Sequence, residues 1–370
     1  MRAVDDRRCR DLLAEALREM DLGHYNMAHR RLGDVLARRP GWDEARYHLG
    51  VCEQARHRLQ AAWEAFAAVA PDSPWAGWSD VRRSRIAMDR GRFAECEELL
   101  LRAAARPGPH VAEARWGLVL LLRMEGRFDE ARRCLQAGFD RMTSPVTTLQ
   151  RLYKIDADPF PIEGVRTALN RAAGQAPDDD RVWLARAHLA IKEGDLGTAR
   201  GWLDRCLERR PEDAAVWRMR LEWALAADRP DEVRDALPHL PADEEPQGRA
   251  LALRAWLAAR RDDREAERRA LEETIALDPG DAPARERLAQ LEQEDGRARE
   301  AEALRAAIRV LDRVRKDYAR LLASASPESH AEELARLADQ LGRTFDAARW
   351  RSMSGGPSSD RHLGSPPMPR

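Results

Sequence analysis

Few residues in this chain are spaced for chemistry. His24 and His29 lie five apart across a turn, which is not the spacing of two metal ligands on one helix face. Asp178, Asp179 and Asp180 follow Pro177 but lack the glycine and closing glutamate of a calcium loop. They read instead as helix capping, because carboxylates at a helix N-terminus meet the positive end of its dipole. The five cysteines form no CxxC pair, and Cys52, Cys96, Cys134 and Cys206 fall where helices would pack, so they read as buried thiols. HExxH, P-loop, GxGxxG and GxSxG motifs are absent. No catalytic, cofactor-binding or metal residue is therefore assigned, and the chain is not expected to be an enzyme. What remains is recognition chemistry. Of 63 cationic side chains only Lys154, Lys192 and Lys316 are lysine, leaving 60 arginines beside 11 tryptophans. A GC-rich genome produces such an excess, and two-point contact with carboxylates also asks for arginine.

The elements that must position these residues are bounded by composition. The chain has 370 residues, 44% of them hydrophobic, enough for a core. Charged residues reach 34%, above the roughly 25% of an ordinary domain, which suits a thin architecture with much surface. The net charge of -1 argues against a dedicated nucleic-acid binder. The longest strongly apolar run, residues 116–122, is far short of the roughly 20 residues of a membrane span. The N-terminus has no apolar signal core, so a soluble, cytoplasmic protein is expected.

One register recurs along the chain: Leu32, Phe66, Leu100, Leu135, Leu169, Leu203, Leu237 and Leu271, with steps of 34 and one of 35. Pro40 and Pro74, Pro177 and Pro211, and Trp183 and Trp217 keep the same phase. With the proline at repeat position 32, frames begin near Cys9, Asp43, Gly77, Ala112, Val146, Asp180, Ala214, Gly248 and Ala282. Position 8 is mostly small (Ala16, Gly50, Ser84, Ala187, Ala255, Ala289), as is position 20 (Ala28, Ala62, Cys96, Ala131, Ala199, Ala301). Small side chains let two helices cross closely. Glycine near position 15 ends the first helix and proline ends the second. The pattern weakens in places: Gly108 replaces a proline, Tyr153 takes a small position, DPFP (residues 158–161) interrupts frame five, Asp228 replaces a turn glycine, and Glu267 sits at position 20.

This period and these positions resemble the tetratricopeptide repeat (TPR). The resemblance implies an all-α, right-handed superhelical solenoid in which each repeat touches only its neighbours. It further implies that helix-A positions 2, 5, 9 and 12 line a concave groove. Those positions place Tyr47, Trp78, Arg85, Trp116, Arg123, Arg181, His188, Arg218 and Trp256 there, with Val51 and Gln54 beside them. Tryptophan, tyrosine and arginine dominate interface energetics, so the expected partner is a protein or peptide with acidic and apolar side chains. The Lys–Asn–Arg carboxylate clamp of chaperone-binding TPR domains is missing, since Asn26 and Asn170 fall outside helix A. Chaperone C-terminal tails, nucleic acid and membrane are not expected partners, and no cofactor is expected.

The organisation read from these frames is 9–143 for repeats one to four, 144–179 for an irregular fifth repeat and junction, and 180–315 for repeats six to nine. Capping helices follow over 328–351, and 352–370 is expected to be disordered. A long amphipathic helix at about 298–323 carries Leu304, Ile308, Leu311, Val314, Tyr318 and Leu321 in one stripe. The functional reading is a non-catalytic interaction scaffold or adaptor. Its rivals are self-association through that helix or the cap, and an accessory module of a larger bacterial system.

Overall fold

The computed structural model describes residues 2–141, 144–241 and 247–354. Of residues 352–370, where disorder is expected, 352–354 instead close the last helix, and those beyond 354 lie outside the described residues. Among the described residues there are helices and no strand. In chain order they are α1 (Arg2–Asp21), α2 (Tyr25–Arg38), α3 (Asp43–Ala55), α4 (Leu59–Ala67), α5 (Ala76–Asp89), α6 (Phe93–Ala105) and α7 (Val111–Met124). Next come α8 (Phe128–Ala137), α9 (Pro145–Ala157), α10 (Ile162–Gln175), α11 (Asp180–Glu193), α12 (Leu196–Arg209), α13 (Ala214–Ala226) and α14 (Pro230–Ala236). The last are α15 (Gln247–Ala259), α16 (Arg264–Leu277), α17 (Ala282–Glu294), α18 (Ala298–Leu322), α19 (Ala331–Gln340) and α20 (Thr344–Ser354).

The helices pack as consecutive hairpins, the first and second helix of each frame but the fifth together. Their crossings are made by the small positions: Ala16, Ala28, Ala62, Ala131, Ala187, Ala199, Ala289 and Ala301 are all fully buried. Position 15 is left-handed in every frame but the fifth, with glycine at 23, 91, 126, 194 and 296 and His57, Asp228 and Asp262 in the other three. Asp228 keeps the turn that glycine makes elsewhere, since aspartate tolerates this conformation better than most residues. Glu267 at a small position is buried but neutralised by Arg287, whose Nε lies 2.5 Å from its Oε1.

The chain divides into two compact units. Unit 1 holds α1–α8 with α10–α12, and unit 2 holds α9 with α13–α20. The two helices of frame five are thus parted. Residues 145–157, inside the stretch read as an irregular junction, form a regular helix with Pro145 at its first position, where no amide donor is needed.

Within unit 2, α9 packs on the C-terminal helices. The rings of Tyr153 and Tyr318 lie 5.6 Å apart, Gln150 Nε2 donates to the Leu322 carbonyl at 2.9 Å, and Asp156 pairs with Arg343 at 3.0 Å. Tyr153 breaks the small-residue rule because α9 has no helix-B partner to cross at that point. Behind it lies a buried polar core. Trp350 Nε1 donates to Tyr318 Oη at 3.2 Å, the Tyr318 hydroxyl donates to Asp346 at 3.3 Å, and Arg343 Nε donates to Asp346 at 2.7 Å. The later part of the α18 stripe is used here, with Leu311, Val314, Tyr318 and Leu321 buried inside unit 2, while Leu304 and Ile308 are half-buried.

Within unit 1 the expectation that each repeat touches only its neighbours fails. Helix α11, of frame six, packs against α6 and α7 of frames three and four. The turn after α5 also meets α10 so closely that a Cβ on Gly91 would stand 2.5 Å from the Ala172 backbone.

Candidate protein-interaction surface

A groove of about 730 Å³ opens on the helix-A side of the first frames of unit 1. Met20 and Asp21 close α1, and the left-handed Gly23 turns the chain so that Tyr25 begins α2. Val51, Gln54 and Ala55 come from α3 and Arg82 from α5. The walls formed by Met20, Tyr25 and Val51 are apolar, Gln54 offers a donor and an acceptor, and Arg82 offers a cation. Arg82 Nε donates to Tyr47 Oη at 3.4 Å, and it has no carboxylate partner among the described residues.

Tyr47 itself does not line the groove. It is 2% exposed, with its ring centroid 4.9 Å from Trp75 and 5.7 Å from Phe66. Its expected place on an open surface is corrected: the ring is aromatic core, and the hydroxyl is a fixed post for Arg82. Neighbouring His48 is buried, and burial, with the Arg82 charge second, pushes it down to about 4. It therefore adds no second positive charge to the groove at neutral pH.

Further along unit 1, four of the expected residues are accessible. Trp78 is half-buried, edge-on to His110 at 5.9 Å. Arg85 is exposed and ion-paired with Glu113, which ties α5 to α7 across the surface. Trp116 and Arg123, both half-buried, flank Leu120, which is 45% exposed. Spacings of four and three put these on one face of α7.

Arg181 and His188 are at inner-face positions but are not available to a partner. They are 8% and 3% exposed, because the inner face of α11 is the surface that packs on α6 and α7. Arg181 Nε meets Glu97 at 3.2 Å, and Glu97 meets Arg127 at 2.7 Å. Arg127 also meets Glu125 at 2.7 Å and Glu130 at 2.8 Å. Glu125 is fully buried, and that burial pushes its carboxyl up to about 7 against the pull of Arg127. The His188 Nδ1 lies 3.0 Å from the Met124 carbonyl, with Phe160 and Phe128 rings at 4.6 and 5.6 Å. Burial pushes it down to about 4. Sequence reasoning passed over Glu97 on α6 and Glu125 and Arg127 at the turn after α7; such charges are invisible as a network until the helices bring them together.

The other two expected residues belong to unit 2. Arg218 is half-buried on α13, and Trp256 is half-buried on α15 with the Arg260 guanidinium 3.6 Å from its ring centre. The aspartate run caps α11 as expected, Asp179 accepting from the amides of Arg181 at 3.0 Å and Val182 at 3.1 Å. His24 and His29 face separate carboxylates, Glu19 at 2.9 Å and Glu53 at 2.6 Å. Among the described residues no group of three or more His, Cys, Asp or Glu is placed to hold a metal ion, and no helix is long and apolar enough to cross a membrane. Burial pushes the Cys52 thiol up to about 12, away from thiolate chemistry.

Family models described as tetratricopeptide repeat match residues 13–74 and 81–138 with one model and 180–223 with another. No curated protein matches the sequence. Among similar solved structures, the anaphase-promoting complex assembly Cut9–Hcn1 is 13% identical, with 94% of this chain and 81% of that chain covered and a TM-score of 0.38. Yeast Tom70 is 12% identical, covering 94% and 96%, with a TM-score of 0.30. A tetratricopeptide repeat protein from Parabacteroides merdae is 11% identical, covering 78% and 99%, with a TM-score of 0.30.

Proposed function

Starting from a chain that carries tetratricopeptide repeats, a fold that serves protein interaction, we propose that it is a non-catalytic scaffold or adaptor. The helix-A face of its first four frames holds a partner segment with aliphatic and acidic side chains. The observation that carries this reading is the groove of Met20, Tyr25, Val51, Gln54 and Arg82. Its guanidinium has one hydrogen-bond post, Tyr47, and no carboxylate of its own. An arginine so held keeps its outer nitrogens for a ligand, and a carboxylate meets them at two points. Beyond Arg82 the surface continues through Arg85 and Glu113 to Trp116, Leu120 and Arg123, where apolar area would anchor the rest of the segment.

The test is selection from a random peptide library on the full chain, beside Val51→Asp/Arg82→Glu checked for unchanged helicity. Peptides retained by the wild type and lost by the variant support the reading. Selection that both chains share equally moves the site off this face, and a library that yields nothing on the wild type overturns the proposal.

A further inference from the structure

A second surface lies in unit 2, on the hairpin of α15 and α16. In frames two and nine, helix-A positions 3, 7 and 10 are where the preceding hairpin packs. In frame two these are Ala45, Leu49 and Cys52, in one core with α1 and α2. In frame nine they are Ala284, Leu288 and Leu291, in one core with Ala270 and Leu271 of α16. In frame eight the same register reads Ala250, Arg254 and Leu257. Ala250 and Arg254 are exposed and Leu257 is half-buried. The preceding helix α14 is only seven residues long and does not pack along α15. Among the described residues, no helix packs along the face that receives one in frames two and nine.

That face forms a groove of about 480 Å³. Its floor is Leu257, Ala258, Ala266 and Ala270, and three arginines border it: Arg254, Arg261 and Arg269. The pairing of the arginines on this hairpin sorts by side. Arg249 reaches Glu222 at 2.5 Å, Arg260 reaches Asp228 at 2.7 Å, Arg264 reaches Asp295 at 2.6 Å and Arg268 reaches Glu292 at 2.9 Å. Arg254, Arg261 and Arg269 have no carboxylate partner among the described residues, and they are the three that border the groove. Two acids share the lining. Asp263 is engaged in capping α16, accepting from the Ala266 amide at 3.0 Å, and Glu273 stands one turn after Arg269 on α16. One turn beyond Glu273, Leu277 is 48% exposed, its Cδ2 3.7 Å from where a Cβ on Gly248 would stand.

We propose that this open inter-repeat face docks an amphipathic helix of a partner protein, one with an aliphatic stripe flanked by carboxylates. The aliphatic stripe would take the place of the missing neighbour over Leu257, Ala258, Ala266 and Leu277, since this register packs a helix in frames two and nine. The carboxylates would meet Arg254, Arg261 and Arg269, which make no ion pair among the described residues. This surface is independent of the groove at Arg82.

The experiment uses the full chain and two labelled synthetic helices, one built of Leu, Ala and Glu and the other with Lys in place of Glu. Fluorescence anisotropy should show the Glu helix binding and the Lys helix not, with affinity falling as salt rises. Measured in an Arg82→Glu background, which removes the other acid-binding groove, Arg254→Glu/Arg261→Glu/Arg269→Glu should weaken binding at least tenfold. All three arginines are exposed, so the helices should persist, and circular dichroism checks that. If the triple variant loses helicity, Arg261→Glu alone, beyond the end of α15, should still weaken binding several-fold. Equal binding of both synthetic helices, no binding of the Glu helix, or loss of all its binding on Arg82→Glu alone would overturn the proposal. So would a concentration-dependent doubling of mass that the triple variant abolishes, which would make the occupant a second copy of this chain.

Discussion

At the scale of single residues, Glu125 makes the sharpest demand on unit 1. Its carboxyl is buried and contacts Arg127, yet Arg127 is already shared with Glu97 and Glu130. Burial raises it from an ordinary value near 4.5 to about 7. The folded chain therefore holds a proton there that the unfolded chain has released, and this group's contribution to stability falls as pH rises from about 4.5 to about 7. Glu125→Gln keeps the shape and removes the titration. Arg127 is not left uncompensated, because two carboxylates remain, so the usual penalty for breaking a buried pair should not appear. Urea denaturation should find the variant close to wild type at pH 5 and more stable by about 1–3 kcal/mol at pH 8. Equal or lower stability at pH 8 would mean the ionised carboxylate is needed. The sequence makes the small crossings at positions 8 and 20 legible, because a period of 34 repeats them. It does not reveal that Tyr47, Arg181 and His188 are core, because assigning them to a groove assumes that the inner face of each frame stays open.

At the scale of elements, the turn between α5 and α6 does two jobs. Gly91 has a φ of 69° and its Cα faces the Ala172 backbone at a distance no side chain tolerates. Gly23 makes the equivalent turn in frame one, with a φ of 76° and nothing within 4 Å of an added Cβ. Gly23→Ala should therefore cost only the left-handed strain, about 1 kcal/mol. Gly91→Ala should cost that and a further 1–3 kcal/mol or so for displacing α10. Hydrogen exchange should show the extra loss in α10 and α11, not in α1 and α2. Equal costs at the two sites would mean that the approach of α10 to this turn contributes nothing to stability. The turns were readable from glycine at fixed spacing, and so was the capping of α11 by Asp179. The return of α10 and α11 onto earlier frames was not, since it depends on where frame five breaks, and DPFP marks a break without giving its direction. Tyr153 was the one residue whose type announced the parting of α9 from α10.

At the scale of the whole molecule, the two units carry different titrations. Three of the six histidines of unit 1, His48, His110 and His188, are pushed down by burial, His48 and His188 to about 4. In unit 2 the described histidines, His239 and His330, are exposed and half-buried. A histidine whose folded value lies below its free value of 6.5 binds fewer protons folded than unfolded, so stability falls as pH drops from about 6.5 toward 4. Glu125 and Asp179, both raised by burial, act the other way in unit 1, as does Asp346 in unit 2. Two histidines displaced as far as Glu125, with His110 adding to them, outweigh the opposing carboxylates in unit 1, whereas in unit 2 the raised Asp346 faces no buried histidine. Acidification from pH 7 to 4.5 should therefore loosen unit 1 relative to unit 2. Hydrogen exchange corrected for its intrinsic pH dependence should show protection falling first in α3, α5 and α11, with α18 and α20 still protected. His188→Phe should blunt the fall in α11 if the buried ring's protonation drives it, because phenylalanine has no proton to gain. Uniform loss across both units, or earlier loss in α18 and α20, would place the acid-sensitive groups elsewhere in the chain.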